Sequence, residues 1–334
     1  MLEYNYEDYI FVSSRINALS ASLISFERMT EMAKARSAEE LYRMLEESGV
    51  KAEKNQYGDM DFEEAVNKRL TDSFCSVIAD VPQPELFSVF TYPYDCHNLK
   101  SLLKCAEKGI SPERLIIPLG SVPADKITES VAKRDFSVFP ENMSKAAEAA
   151  REAYARTHNP QTIDLLIDAA CFCDMEKSVK ENPLEFFSKI LSIKADIANI
   201  LTAIRLIRVP SVQSENIFGE AMVAGGGLRK DFFAAVFADE IKEKERALAE
   251  KLIYTEYEKL GRAMSVSEIR VSEAERICGQ AYITELEKAR ETLTGAETVA
   301  LYLAGIENEA RNLRILLAGK RSGYGESEII ARLY

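Results

Sequence analysis

Asp164 and Asp168 are the acidic residues whose spacing best suits metal chemistry. They stand four positions apart in the segment IDLLID, so on a helix both carboxylates would share one face and could hold Mg²⁺. Prenyl-transferring enzymes that use magnesium in this way have a denser acid cluster on two facing helices, and no DDxxD sequence occurs in this chain. We therefore favour a structural or capping role for both aspartates.

Two other patterns could form chemical sites. Cys96 and His97 are sequence neighbours, but a cysteine nucleophile needs its base beside it, and successive helical residues point about 100° apart. The run Gly225–Gly227, followed by Arg229 and Lys230, offers amides and cations for a phosphate, yet it lacks the Walker pattern. We favour a hinge or a close-packed turn there. The chain has six Cys and two His without a CxxC pair, so we predict no zinc cluster, no cofactor and no enzymatic activity.

The composition argues against several classes of protein. The chain has 334 residues with 42 Lys and Arg against 54 Asp and Glu, a net charge of −12, which disfavours non-specific nucleic-acid binding by a basic surface. Only 15 Gly and 10 Pro disfavour a turn-rich all-β fold. The longest uncharged stretch, Ile16–Phe26, is shorter than the roughly 18–20 residues of a membrane-spanning helix. No signal peptide is recognisable at the N-terminus, so we expect an intracellular, all-α protein with reduced thiols.

Helical patterns indicate the elements that would position these residues. Ser37 is an N-cap candidate with Glu40 at the capping-box position, which predicts a helix that begins just after Ser37. The region 232–260 mixes Glu and Lys densely with apolar residues at helical spacing, which predicts one long, solvent-exposed helix.

An internal repeat is the most informative feature of the sequence. Three segments, roughly 100–115 residues apart, read acid-x-x-Asn-apolar-x-x-apolar-apolar. Their acid and Asn residues are Asp95 and Asn98, Asp196 and Asn199, and Glu309 and Asn312. The spacings are close to a third of the chain, so we predict three helical repeats: residues 1–121, 122–226 and 227–334.

The template also predicts a role for each acid–Asn pair. On a helix the apolar positions form one stripe, and the acid and the Asn border it. A polar pair there can bind the unpaired amides or carbonyls of a neighbouring helix end. We therefore expect the pairs to be structural, and we expect the stripe residues to be buried: Leu99, Leu103, Ile200, Ile204, Leu313 and Leu317.

These residues together resemble a known family, the C subunit of prokaryotic V-type and A-type ATP synthases, which is homologous to the eukaryotic V-ATPase d subunit. The resemblance extends over most of the chain, and the C-terminal block is its most specific part. It is carried by Ser13-Ser14-Arg15, Asp95-x-x-Asn98-Leu99-Lys100, Asp164-x-x-x-Asp168, Asp196-x-x-Asn199, Gly225-Gly226-Gly227, and Glu307-x-Glu309-x-x-Asn312-Leu313-Arg314 followed by Gly319-Lys320.

The resemblance implies an all-helical funnel of three similar lobes about a pseudo-threefold axis. It implies a non-catalytic rotor subunit between the central shaft of D-type and F-type subunits and the membrane ring of proteolipid subunits, where it transmits torque during ATP-coupled ion transport. It also implies a cytoplasmic protein that is peripheral to the membrane and contacts it only through the ring.

The loops that close the repeats are the predicted partner contacts: Gly109–Gly120, Pro210–Gly227 and Gly319–Gly325. Their basic residues Arg114, Lys320 and Arg321 could meet acidic groups of a partner, and such contacts weaken with ionic strength.

Two alternatives stand beside the rotary-ATPase assignment. The first is a free-standing α-helical scaffold or adaptor of the solenoid type, although solenoid repeats run about 20–50 residues and these are much longer. The second is a helical enzyme of the isoprenoid type that would use Asp164 and Asp168 to bind Mg²⁺.

Overall fold

The computed structural model of the chain describes residues 4–54, 57–58, 60–111, 115–208, 214–238, 243–292 and 294–334. Within these ranges regular structure is entirely helical, apart from one isolated bridge between Lys54 and Met60. The all-α prediction is therefore confirmed. Short 3₁₀ helices in the described part of the chain span Tyr6–Tyr9, Pro84–Phe87 and Lys288–Glu291.

The α-helices of the described ranges are numbered in chain order. They are α1 (Ile10–Ser20), α2 (Phe26–Ala33), α3 (Ala38–Glu47), α4 (Phe62–Ile78), α5 (Ser88–Lys108), α6 (Ala124–Lys133), α7 (Glu141–Thr157), α8 (Gln161–Glu181), α9 (Glu185–Arg208), α10 (Ser214–Ala221), α11 (Lys230–Phe237), α12 (Lys244–Leu252), α13 (Glu258–Val266), α14 (Val271–Glu287), α15 (Ala296–Arg321) and α16 (Glu326–Ile330).

The chain forms two compact units. One consists of Glu85–Glu285 and contains α5 to α14, of which α14 extends two residues past the boundary. The other combines the N-terminal part, up to Pro84, with Leu286–Tyr334, so α1 to α4 pack with α15 and α16. In this second unit α15 is the central helix, because it contacts α1, α2, α3, α4 and α16.

Local sequence signals set several helix ends. The Ser37 hydroxyl accepts a hydrogen bond from the Glu40 amide at 3.2 Å, so α3 begins where the capping pattern predicted. The Glu40 carboxylate accepts from the Arg36 amide, which is one residue earlier than a capping box requires. Gly109 ends α5 in a left-handed conformation with φ of 63°, a backbone geometry that glycine adopts without a steric penalty.

The prediction of one long helix over 232–260 is wrong. Separate helices α11, α12 and α13 lie in this region, and the chain turns between Leu252 and Glu258. A Cβ on Gly261 would lie 2.6 Å from the Ala249 carbonyl oxygen and 2.7 Å from the Ile253 nitrogen. Only glycine, which has no Cβ, allows α13 to approach α12 this closely. The region therefore forms two short helices that pack against each other instead of one continuous helix.

The apolar stripes of the template pack as predicted. Leu99, Ile200 and Leu313 are fully buried, and their stripe partners Leu103, Ile204 and Leu317 are at most 2% exposed. Around α9, apolar side chains from α11 to α14 complete one core. Within the described ranges, none of the helices is both long and apolar enough to span a bilayer.

Candidate functional site: the repeated acid–Asn pairs

The three asparagines of the template make the same pair of hydrogen bonds. The Asn98 amide nitrogen donates to the Ile117 carbonyl at 2.8 Å, and the Ile117 amide donates back to Asn98 Oδ1 at 2.8 Å. Asn199 makes this closed pair with Val223 at 3.1 and 2.9 Å. Asn312 makes it with Tyr334 at 3.1 and 3.0 Å. One side-chain amide thus satisfies both the N–H and the C=O of a single residue. Asparagine can do this because its side chain carries a donor and an acceptor in a fixed arrangement.

The acids bind loop amides beside these contacts. Asp95 accepts from the Ser121 amide at 2.9 Å, the Ser121 hydroxyl at 2.6 Å and the Val122 amide at 3.1 Å. Asp196 accepts from the Leu228 amide at 2.8 Å and from the Tyr257 hydroxyl at 3.4 Å. Both carboxylates are buried, so these donors replace the water that the charged groups lose.

Glycine allows the loop to reach each aspartate. A Cβ on Gly120 would lie 1.9 Å from Asp95 Oδ1, and a Cβ on Gly226 would lie 2.4 Å from Asp196 Oδ1. Real atoms cannot approach so closely, so any larger residue would push the loop off the carboxylate. Glycine is needed at these two positions because the loop backbone lies so close to the carboxylate, and not because the backbone has a positive φ.

Glu309 reaches a distant part of the chain. Its Oε1 accepts from the Ile24 amide at 2.7 Å, and the Arg69 guanidinium donates to both carboxylate oxygens at 2.9 and 3.1 Å. Leu23, not glycine, precedes Ile24. Glutamate is one methylene longer than aspartate, so its carboxylate can reach the Ile24 amide without a glycine before that residue.

The acid contacts occupy matching places relative to the following helix. Val122, Leu228 and Ile24 each lie two residues before the first residue of a helix, α6, α11 and α2 respectively. Each acid therefore fixes the segment through which the chain enters the next helix.

Burial and hydrogen bonding act in opposite directions on these carboxylates. Burial raises the pKa of Asp95, while the bonds from Ser121 and Val122 lower it. Asp196 follows the same pattern, since burial raises its pKa against the opposing bond from Leu228. In the third pair, the hydrogen bond to Glu309 raises the pKa of the Arg69 guanidinium.

The aspartates considered as magnesium ligands are engaged with lysines. Lys100 donates to Asp168 Oδ1 at 2.5 Å, and Lys104 forms an ion pair with Asp164. Both lysines lie on α5 and both aspartates on α8, so the pairs join two helices. The geometry supports a structural role for both aspartates.

The other two candidate sites are likewise engaged in structural contacts. Cys96 Sγ lies 3.1 Å from Asp168 Oδ1, so its polar partner belongs to α8. The glycine run faces Asp196, because the Leu228 amide that follows it donates to that carboxylate at 2.8 Å and a Cβ on Gly226 would lie 2.4 Å from Asp196 Oδ1. The run therefore packs against a side chain of the protein itself, as expected for a close-packed turn.

Of the predicted partner-contact residues, Arg114 lies outside the described residues. Arg321 is exposed at the end of α15 and pairs with Glu63 at 3.0 Å. Lys320 beside it is half-buried. The loop Pro210–Gly227 is described only from residue 214 onward.

Sequence reasoning missed the partners that complete the acid sites. Arg69, Tyr257 and Ile24 lie 240, 61 and 285 residues from the acids that they contact. No local pattern connects them with the template. Gly120 and Gly226 carried a usable signal, because each falls shortly before the loop residues that bind the aspartate.

Comparison with known proteins identifies the family of this chain. The ATP synthase (C/AC39) subunit family matches residues 12–332. The C subunit of the V-type sodium ATPase of Enterococcus hirae is 22% identical over 98% of this chain and 98% of its own length. The C subunits of the A-type ATP synthases of Methanocaldococcus jannaschii and Methanococcoides burtonii are 22% and 24% identical, over 96% and 97% of this chain and 85% and 93% of their own lengths.

The match covers nearly the whole chain, as the resemblance predicted, and it extends over both compact units. The family is that of a structural, non-catalytic subunit of a rotary ATPase, which agrees with the prediction that the chain is not an enzyme. The chain belongs to the ATP synthase (C/AC39) subunit family.

Proposed function

We propose that this chain is the rotor subunit that links the central shaft of a V-type or A-type ATPase to its proteolipid ring and transmits torque between them. The observation that carries this proposal is the family match over residues 12–332. The partners are the D-type and F-type shaft subunits on one side and the ring on the other. The protein is cytoplasmic and peripheral, and it contacts the membrane only through the ring.

The acid–Asn pairs suit a part that carries force. A torque-transmitting subunit must not deform at its loops, and buried, fully satisfied hydrogen-bond networks make a loop rigid. Asn98, Asn199 and Asn312 each fix a loop residue at both backbone groups. The recurrence supports the three-lobed, pseudo-threefold arrangement with repeats 1–121, 122–226 and 227–334, which remains part of the proposal.

Affinity purification from native membranes tests the proposal. A tagged chain should co-purify with D-type, F-type and proteolipid subunits, and the purified single chain should have no ATPase activity. Recovery of the chain alone, or with proteins unrelated to the ATPase, would favour a free-standing scaffold. ATP hydrolysis by the purified chain would contradict the non-catalytic role.

The loop Gly319–Gly325 has its own test. Replacing Lys320 and Arg321 together by Glu should weaken assembly, since exposed charges make ionic contacts that salt screens. The double substitution also breaks the internal pair of Arg321 with Glu63. Glu63→Gln is therefore the control, because it breaks that pair and keeps both cations. If the wild type, the double variant and Glu63→Gln assembled equally well, the loop Gly319–Gly325 would not be part of the interface.

A further inference from the structure

Two cysteines on different helices of the Glu85–Glu285 unit lie side by side. Cys96 Sγ on α5 is 3.9 Å from the carbonyl oxygen of Ile167, which stands four residues before Cys171. Cys171 Sγ on α8 is 3.5 Å from the carbonyl oxygen of Tyr92, which stands four residues before Cys96. A helical side chain points back over the turn that precedes it, so each sulfur lies where the other cysteine's side chain projects. The two thiols are therefore neighbours.

The packing of α5 against α8 fixes this arrangement. The two helices contact each other directly. The ion pairs of Lys100 with Asp168 and of Lys104 with Asp164 hold them in one antiparallel register. A disulfide can join two cysteines only where the backbone already brings their side chains together. The interface between α5 and α8 meets this condition.

Solvent reaches the group next to Cys96. The Cys96 thiol donates to Asp168 Oδ1 at 3.1 Å, and the Asp168 side chain is 43% exposed. Burial lowers the pKa of Lys100, but the nearby Cys96 and Asp168 raise it above its ordinary value, so a charged ammonium group stands beside this thiol. A cation next to a cysteine is the usual setting of a reactive thiolate.

Cys171 lies in a more enclosed setting. It is 2% exposed, and the hydrogen bond with the Cys96 thiol and burial raise the pKa of its own thiol. A thiol that stays protonated reacts slowly with oxidants. Cys96 is therefore the sulfur that a small oxidant attacks first, and Cys171 is placed to react with the product.

We propose that Cys96 and Cys171 are a redox-sensitive pair that hydrogen peroxide converts to a disulfide between α5 and α8. The Cys96 thiolate attacks one peroxide oxygen and the O–O bond breaks. The departing hydroxide takes up the proton that Cys96 released and leaves as water, so that Cys96 carries a sulfenic acid, S–OH. The Cys171 sulfur then attacks the Cys96 sulfur, the S–S bond forms and the S–O bond breaks. The second hydroxide takes the Cys171 proton, so two thiols are oxidised while one peroxide is reduced to two waters.

The new bond ties α5 to α8 beside one of the acid–Asn pairs. Asp95, which binds the Ser121 and Val122 amides, directly precedes Cys96. The linked cysteines are 171 − 96 = 75 positions apart, and a cross-link over such a distance restricts the unfolded chain. Oxidation therefore stabilises this unit, and reduction reverses the effect. The inference stands on these contacts alone and does not depend on the proposed function.

Peptide mapping of the peroxide-treated chain tests this pair. The purified, folded chain is exposed to hydrogen peroxide, its remaining thiols are blocked with iodoacetamide, and it is digested without reduction. The expected product is a linked pair of peptides that contain Cys96 and Cys171, with the other four of the six cysteines alkylated. The melting temperature should rise by about 5 °C or more, and dithiothreitol should return it to the starting value.

Single substitutions test the order of the two steps. Cys171→Ser cannot form the disulfide, so dimedone, which labels sulfenic acids, should mark Cys96. Cys96→Ser should give neither linked peptides nor a dimedone label on Cys171. The matched control is Cys105→Ser, at a buried position of the same helix, which should form the linked pair as the wild type does. The melting temperature of each variant before oxidation shows that it is folded.

Three results would overturn the proposal. The first is alkylation of both Cys96 and Cys171 after peroxide treatment of the folded chain. The second is a disulfide that forms through Cys75 or Cys173 in place of this pair. The third is linkage of Cys96 to Cys171 only when urea has unfolded the chain, because the pair would then owe nothing to the contact of α5 with α8. A dimedone label on Cys171 of the Cys96→Ser variant, with none on Cys96 of the Cys171→Ser variant, would contradict the assigned order of attack.

Discussion

Replacing Asn199 by Ala should destabilise the larger unit strongly. The substitution removes both hydrogen bonds to Val223, at 3.1 and 2.9 Å. Val223 is only 6% exposed and Asn199 only 1%, so water cannot readily replace the lost partner. Each orphaned backbone group costs about 1–3 kcal/mol. The expected loss in the free energy of unfolding is therefore about 2–6 kcal/mol, a large part of the roughly 5–15 kcal/mol that a native domain has.

Two measurements and two comparison variants check this result. Urea unfolding followed by circular dichroism gives the change in stability, and hydrogen exchange of the Val223 amide reports the local opening. Asn98→Ala should cost less, because its partner Ile117 is half-buried and water can satisfy the freed groups. Asn17→Ala, at an exposed position of α1, should change stability by no more than about 0.5 kcal/mol. A loss below about 1 kcal/mol for Asn199→Ala, with the Val223 amide still protected, would refute the reasoning.

Three other substitutions test the close approach of a loop to Asp95, the packing of Leu313 and the pKa of Asp95. Gly120→Ala should lower the melting temperature and release the Ser121 amide to exchange, because its Cβ would lie 1.9 Å from Asp95 Oδ1; an unchanged exchange rate would contradict the close approach. Leu313→Ala should cost about 2–5 kcal/mol in urea unfolding, since Leu313 is fully buried, whereas an unchanged midpoint would mean that the site is loosely packed. Burial raises the pKa of Asp95, so the Asp95 carboxyl group of the folded chain stays protonated at pH values where that of the unfolded chain has lost its proton. The stability that Asp95 contributes therefore falls as the pH rises from the usual pKa of aspartate through the raised pKa. Asp95→Asn lacks this loss, so its melting temperature relative to the wild type should increase with pH over that window; a difference that does not vary with pH would show that the pKa is not raised.

Sequence patterns predicted much of this protein at the level of single helices. Composition indicated an all-α fold, and the spacing of apolar residues identified stripes whose members, such as Leu99 and Leu313, are buried. The capping pattern at Ser37 located the start of α3. These properties depend on residues within a few turns of each other, so a local pattern is enough to reveal them.

The acid–Asn template was visible in the sequence, but its partners were not. Asn98 and Asn199 contact loop residues 19 and 24 positions away, at distances that helical spacing does not specify. Glu309 binds an amide 285 positions away. Which backbone group reaches a buried carboxylate depends on how the chain is packed, and long loops close with little entropic preference for one partner over another.

Tertiary packing also decided where helices end and which charges meet. The region 232–260 has the composition of one helix, yet the close contact at Gly261 accompanies two short helices that pack against each other. Asp164 and Asp168 had the spacing of a metal site, and Lys104 and Lys100 on another helix engage them instead. Residue order is enough to identify which helix faces are apolar and which positions carry polar pairs, because both follow from helical periodicity. The tertiary structure alone determined the partners, because a buried polar group must be satisfied by whatever donor or acceptor the packing brings within about 3 Å.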